Sequence, residues 1–207
     1  MGNIIYFCHV PKTAGNFILD SLRTQDIMGI VDGGHLHRYS DHLPYTGVNV
    51  TCVRNPFDLL VSIYFHGEAG FAHINRVYNL TSFEEFIKFY CSNSSFPKLT
   101  HFWPFNNSLY DSIFDNDGNP CVGYCIRFER LKEGIVELGF HNGIDFDTEG
   151  DFYKNTSIAR PSGSGGDYKN FYNDELIELV NKKCDRELKL FNYDFNGPKD
   201  NKSLLVF

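Results

Sequence analysis

Two cations stand where predicted strands of the sequence end, and this placement indicates a site for an anionic group. Lys12 belongs to the sequence Pro-Lys-Thr-Ala-Gly-Asn, which follows the apolar run 3–9. Arg54 follows a second apolar run, 48–53, and Ser62 comes eight residues after Arg54. Loop amides, a helix N-terminus, an arginine fork and a hydroxyl all bind phosphate groups. The spacing is therefore compatible with a phosphate-binding site, although the Lys12 segment alone also fits an ordinary strand-to-helix turn with a solvated lysine.

The loop that contains Lys12 is not a Walker A motif. That motif places its lysine directly after a glycine, whereas Lys12 precedes Gly15. Other interpretations of the two segments also stay open at this point. Arg54 could pair with Asp58, and Ser62 could be a small residue packed inside a helix.

Three histidines precede the second apolar run and could take part in proton transfer. His35, His37 and His42 lie within Asp-Gly-Gly-His-Leu-His-Arg-Tyr-Ser-Asp-His. An imidazole changes charge near neutral pH and can therefore act as a general base. The three could instead bind zinc, but no fourth ligand stands at a suitable spacing, so we expect no metal site.

Three segments predict buried strands. Residues 3–9 and 48–53 are nearly continuous apolar runs, as in parallel sheets covered on both faces, and 122–128 is a third candidate. The first two are each followed by a turn and a helical pattern. Strands that alternate with helices in this way favour an α/β fold. We predict a three-layer α/β/α arrangement with a central parallel sheet and an anion-binding strand-loop-helix at Lys12.

Several residues in the rest of the chain predict where helices begin. Pro56 fits a first helical turn, and Ser82 with Glu85 forms a capping box. Asp174 can cap a long final helix. The 207 residues suffice for one hydrophobic core and are too few for two comfortable ones, so we predict one domain over residues 1–207.

The acidic composition narrows the range of partners. A formal net charge of −7 disfavours an electrostatic clamp on nucleic acid or on a highly sulfated polymer. The first apolar run is too short for a signal peptide, and no later run reaches the length of a membrane span. We therefore predict a soluble, cytoplasmic protein.

The six cysteines form no Cys-x-x-Cys pair, which favours reduced thiols packed as apolar groups, as at Cys8 and Cys52.

Taken together, the two cationic segments resemble the sulfotransferase family that uses 3′-phosphoadenosine 5′-phosphosulfate (PAPS). The family's loop for the 5′-phosphosulfate is similar to PKTAGN (11–16). Its motif for the 3′-phosphate is similar to RNPFDLLVS (54–62). The resemblance implies that both segments bind one PAPS molecule, with the phosphosulfate at the strand-loop-helix.

Three later segments extend the resemblance toward the end of the chain. The glycine-rich loop of cytosolic members is similar to RPSGSGGDYKNFY (160–172), which has one residue inserted and Pro-Ser in place of Lys-Gly. A later strand and the terminal helix of the family are similar to IRFERL (126–131) and ELIELVNKKCDRELKLFNYDF (175–195). The resemblance thus covers nearly the whole chain in the order that the family shows.

The resemblance implies a role for each residue of the site. Lys12 would bind the oxygen that bridges phosphate and sulfate in PAPS, where charge grows as the leaving group departs. Phe17 would lie against the adenine or, equally well, pack in the core. Asn16 stands where the family usually has threonine. The resemblance implies that the 5′-phosphosulfate contacts the loop amides of Thr13, Ala14, Gly15 and Asn16. It also implies that the 3′-phosphate contacts the side chains of Arg54, Ser62 and Arg160. The remaining implied cofactor contacts are the glycines Gly163, Gly165 and Gly166.

The histidine segment resembles the stretch that carries the catalytic histidine in carbohydrate members related to uronyl 2-O-sulfotransferases. This resemblance implies that His35, or else His37, takes the proton of the acceptor. The carboxylates of Glu68 and Glu84 are alternatives. The implied activity is O-sulfation of a hydroxyl on a glycan or small molecule, with adenosine 3′,5′-bisphosphate (PAP) as the second product and without a metal.

Two other functions stay open on the sequence alone. A nucleotide or small-molecule kinase would share the parallel sheet and the phosphate loop but would depend on magnesium. A nucleotide-binding protein could have the pocket without transfer activity. Loops 65–80 and 92–120 carry aromatic residues that suit a sugar face or a phenol, although these rings could equally close the core.

Overall fold

The computed structural model describes residues 4–10, 12–23, 30–32, 47–65, 78–93, 108–144, 146 and 167–207. The chain divides into two compact units. The first consists of Met1–Arg54, Leu109–Ile158 and Asn201–Phe207, and the second of Asn55–Ser108 and Ala159–Asp200. A single domain over residues 1–207 stays a prediction.

The described residues form both strands and helices. The strands are β1 (Ile5–Cys8), β2 (Ile30–Asp32), β3 (Val48–Val53), β4 (Tyr124–Arg127), β5 (Tyr193–Asp194), β6 (Gly197–Pro198) and β7 (Leu204–Val206). The helices are α1 (Gly15–Arg23), α2 (Pro56–Tyr64), α3 (Phe83–Ser92), α4 (Leu109–Ile113), α5 (Leu131–Asn142), α6 (Asp174–Lys183) and α7 (Asp185–Leu190). Among the described helices, none is long and apolar enough to span a membrane.

Five of these strands form the sheet of the first unit, in the order β2-β1-β3-β4-β7. Neighbours among the first four are parallel, and β7 pairs antiparallel with β4. The predicted α/β fold is confirmed, and β3 has the predicted bounds. The sheet is mixed rather than wholly parallel because β7, a strand that no sequence pattern predicted, adds to its edge.

One face of this sheet carries the hydrophobic core of the first unit. Side chains alternate between the two faces along a strand, so Ile5 and Phe7 of β1 point together into this core. Helices α1 and α5 cover it with apolar residues at helical spacing, among them Ile18, Leu22 and Ile135. All five side chains are fully buried. This packing fixes the carboxyl ends of β1 and β3, after which the predicted cationic residues follow.

Helix α2 begins the second unit with a well-defined cap. The Asn55 side chain accepts a hydrogen bond from the Phe57 amide at 3.1 Å, and Pro56 occupies the first turn as predicted. The Asn55 amide group also donates to the Asp194 carbonyl at 2.8 Å. The Tyr172 hydroxyl donates to the Phe57 carbonyl at 2.9 Å. The start of α2 is therefore anchored to the C-terminal part of its own unit.

The other helix caps agree with the sequence only in part. Ser82 caps α3 as predicted, and its hydroxyl accepts from the Glu85 amide at 3.1 Å. The predicted cap of the final helix, Asp174, is wrong by one residue. Asn173 has the extended conformation of a cap and accepts the capping hydrogen bond at 2.9 Å, whereas Asp174 lies in the first helical turn. The predicted continuous helix is two helices, α6 and α7, which meet at Cys184.

The cysteines behave as packing groups. All six are free thiols. Burial raises the pKa of Cys8 to about 12, and burial also raises the pKa of Cys52 well above its ordinary value. A thiol whose ionisation is suppressed in this way is unreactive and packs as a small apolar side chain.

Candidate functional site

The loop between β1 and α1 has a strained backbone. Lys12 and Ala14 have φ angles of 67° and 66°, in the left-handed region that favours glycine. Each such residue costs on the order of 1 kcal/mol, so surrounding contacts have to stabilise this shape. Left-handed residues that alternate with other conformations turn successive amide groups toward one point, as in the backbone nests that bind anions. The loop is therefore suited to present N–H groups to an anion.

Buried contacts stabilise the Lys12 loop on its inner side. Thr13 is fully buried, and its hydroxyl donates to the Val10 carbonyl at 2.7 Å. The Ile18 amide donates to the Ala14 carbonyl at 3.1 Å, so the helical hydrogen bonding of α1 begins at Ala14. The first amides of α1 point out of the helix N-terminus, where the helix dipole is positive.

Gly15, the first residue of α1, lies against the ring of His9. A β-carbon at Gly15 would overlap the Cδ2 and Nε2 atoms of His9. The φ angle of Gly15 is not left-handed, so the ring rather than the backbone conformation requires glycine here. His9 is 9% exposed, and its ring centroid lies 5.8 Å from that of Phe7. Sequence reasoning missed His9, because it stood inside the predicted strand.

Arg54 follows β3 and contacts the Lys12 loop. Its Nη1 donates to the Lys12 carbonyl oxygen at 2.9 Å. Its guanidinium carbon lies 4.0 Å from the ring centre of Phe128. Arg54 is 3% exposed, so both the hydrogen bond and the cation–π contact are shielded from water. The structure therefore brings together the two cations that the sequence analysis singled out.

The positive charge of Lys12 is disfavoured at this position. Burial lowers the pKa of Lys12, and the positive charge of Arg54 lowers it further. A bound anion would oppose both effects, because a negative charge nearby favours the ammonium form. Amides, an ammonium group and a guanidinium group at one loop can together bind a phosphate or sulfate group.

Ser62 lies within α2, in the second unit. It is 4% exposed, and its hydroxyl has no hydrogen-bond partner among the residues that the structure describes. A buried hydroxyl without a partner is costly, and a ligand oxygen would satisfy it. A small residue packed in a helix would also be buried, so the phosphate-binding role of Ser62 stays a prediction.

Several predicted residues lie outside the described part of the chain. These are His35, His37, His42, Glu68, Arg160, Gly163, Gly165 and Gly166. Their roles stay predictions. Within the described ranges, no group of three or more His, Cys, Asp or Glu residues is placed to hold a metal ion.

Three other predicted residues have described positions. Phe17 is 8% exposed and belongs to the hydrophobic core, which favours the core-packing alternative over adenine stacking. Asn16 is exposed at the start of α1. Glu84 lies on α3 with its carboxylate 2.7 Å from the Lys88 ammonium, and both side chains are exposed, as is typical of a surface pair.

The fold of the chain is similar to that of a solved sulfotransferase. The crystal structure of mouse sulfotransferase SULT7A1 complexed with PAP matches it with a TM-score of 0.53 and 15% sequence identity, over 91% of this chain and 88% of that chain. No protein-family model matches the chain, and no curated protein is significantly similar to it in sequence. At this identity the similarity shows a shared fold. The sulfotransferase fold that the sequence resemblance implied is confirmed.

Proposed function

We propose that this protein transfers the sulfuryl group of PAPS to an acceptor hydroxyl. The observation that carries the proposal is the Lys12 loop, in which left-handed residues alternate and Arg54 donates to the Lys12 carbonyl. A turn that only connected a strand to a helix would not need this backbone strain. The fold shared with a sulfotransferase that was crystallised with PAP supports the proposal.

The proposed reaction is an in-line displacement at sulfur. The acceptor oxygen forms a bond to sulfur, the bond between sulfur and the bridging oxygen breaks, and PAP leaves with that electron pair. The Lys12 ammonium would donate a hydrogen bond to the bridging oxygen as negative charge grows on it, and the loop amides would hold the 5′-phosphate. The acceptor proton passes to a base, for which we propose His35 or, failing that, His37. The resemblance assigns the 3′-phosphate to Arg54, Ser62 and Arg160.

We propose a carbohydrate as the acceptor. The support is the resemblance of the histidine segment to that of carbohydrate members of the family. The net charge of −7 disfavours a heavily sulfated polymer, so a neutral or weakly charged glycan fits better.

Incubation with PAPS and an arrayed acceptor library, read by the mass increase of sulfation, tests the function. The library should contain neutral glycans, sulfated glycans, phenols and peptides, and the buffer should contain EDTA, because a kinase would need magnesium. Sulfation of a neutral glycan in EDTA is the expected result. PAP binding without sulfation of any acceptor would contradict the transferase and favour a nucleotide-binding protein.

PAP is expected to stabilise the protein against heat. A ligand at a hundredfold excess over its dissociation constant stabilises the folded state by about 2.7 kcal/mol. For a chain of 207 residues this corresponds to a rise in Tm of about 5–10 °C. Differential scanning fluorimetry with PAP, and with adenosine as a control that lacks phosphates, checks this. An equal shift with adenosine would show that the phosphates are not what is bound.

PAP binding is expected to weaken with rising pH because of Lys12. The charged ammonium of Lys12 binds the anion, and in the folded protein the pKa of Lys12 lies below the ordinary 10.5. The association constant for PAP should therefore fall as the pH rises through the lowered pKa of Lys12, at a pH below 10.5. Above about pH 8 the phosphates of PAP are fully ionised and contribute no change. Calorimetric titrations of the wild type and of Lys12→Arg, which stays protonated, should differ in this slope.

A further inference from the structure

We infer that His9 is a positioning residue of the Lys12 loop, which it holds in its anion-binding shape by packing its ring on Gly15. The inference rests on the proposed function, because it assigns to His9 a part in placing the groups that meet the phosphosulfate. The contact joins the end of β1 directly to the first residue of α1 and thus spans the whole loop.

The contact between His9 and Gly15 is tight and specific. The Cδ2–Nε2 edge of the ring occupies the space that a side chain at residue 15 would fill. Gly15 has no left-handed φ angle, so alanine would fit its backbone conformation. The ring of His9 is therefore the reason that residue 15 has to be glycine. His9 is itself held, since it is 9% exposed and packs beside Phe7.

The contact between His9 and Gly15 lies at one end of the loop that contains Lys12 and can therefore affect the conformation of Lys12. The loop enters after Val10 and ends at Gly15, and its two left-handed residues lie between these points. Strained backbone persists only where the ends of the segment are fixed. The Thr13 hydroxyl fixes the inner side of the loop through Val10, and the His9 ring fixes the end at α1. Without the ring, the strained residues can relax and the amides lose their common direction.

A double-mutant cycle tests the contact in the protein without ligand. Gly15→Ala should lower Tm strongly, because its β-carbon overlaps the His9 ring. In the His9→Ala background the same substitution should lower Tm little, because the space is open. Additive effects of the two substitutions on Tm would overturn the inference.

Two readouts test the positioning role beyond the contact itself. PAP affinity, measured well below Tm, should fall by about tenfold in His9→Ala and by up to about a hundredfold in Gly15→Ala, since small displacements of binding groups have effects of this size. The PAP affinity of His9→Phe, which keeps a ring, should be within about threefold of the wild-type affinity. The PAP affinity of His9→Asn, which has no ring, should differ from the wild-type affinity by more than about threefold. His141→Ala, which removes an exposed imidazole on α5, is the matched control and should leave affinity unchanged.

Amide hydrogen exchange of the segment 10–18 separates failure of this inference from failure of the proposed function. His9→Ala should speed exchange there while exchange in α5 stays as in the wild type. If the wild type binds no PAP, the proposed function fails, and the exchange data still decide the role of His9. If His9→Ala changes neither exchange nor PAP affinity, the inference is overturned even when the wild type binds PAP.

Discussion

The substitution Lys12→Gly is expected to abolish most sulfuryl transfer without lowering the free energy of unfolding. Removal of the ammonium would take away the proposed hydrogen bond to the oxygen on which negative charge grows, and the loss of one such donor lowers kcat by about 10²–10³-fold. The same change relieves the left-handed strain at φ 67°, which costs about 1–2 kcal/mol, against about 0.5–1 kcal/mol for the added chain entropy of glycine. It also removes a charge that burial and Arg54 disfavour.

Initial rates with saturating PAPS and chemical denaturation of the same preparations check both parts of this prediction. Ala14→Gly relieves the same strain at φ 66° but keeps the ammonium, so it should retain far more activity than Lys12→Gly. Lys182→Ala removes an exposed lysine at the end of α6 and should leave the rate unchanged. A Lys12→Gly protein that is active, or that is clearly less stable than the wild type, contradicts the assignment.

The sequence predicted the strands that precede Lys12 and Arg54. The mostly apolar run 48–53 is β3 with the same bounds, and the carboxyl ends of parallel neighbours meet at one edge of a sheet. That rule alone places Arg54 near Lys12, and the structure adds the hydrogen bond between them. The bounds of β3 were predicted correctly because a buried parallel strand has a mostly apolar sequence signal.

The features that the sequence did not predict depend on contacts between distant residues. Lysine and alanine rarely adopt left-handed angles, so nothing local in the sequence predicts the conformation of Lys12 and Ala14. The role of Gly15 came from the His9 ring rather than from its own backbone freedom, which is the usual reason for a loop glycine. The short edge strand β7 was missed because its three residues carry too little pattern to distinguish a strand from a tail.

Arg54→Ala is expected to weaken PAP binding by about 10²-fold or more, through two separable effects. The first is loss of the hydrogen bond to the Lys12 carbonyl, which loosens the loop for any nucleotide with a 5′-phosphate. The second is loss of the proposed guanidinium contact to the 3′-phosphate, since hydrogen bonds to charged groups contribute about 1.5–3 kcal/mol. Arg54→Lys keeps the charge but loses the fork and the stacking on Phe128, so it should recover only part of the affinity.

Calorimetric titration with PAP and with adenosine 5′-monophosphate separates the two effects of Arg54. The loss that both nucleotides share reports on the loop, and the additional loss with PAP reports on the 3′-phosphate. Because Arg54 is 3% exposed, its removal also lowers the free energy of unfolding by about 1–3 kcal/mol. The titrations should therefore be done at a temperature well below the Tm of the variant. Arg186→Ala, at an exposed position on α7, is the control for loss of an arginine charge. Equal losses for the two nucleotides would place the 3′-phosphate away from Arg54 and leave Arg54 only its contact with the Lys12 loop.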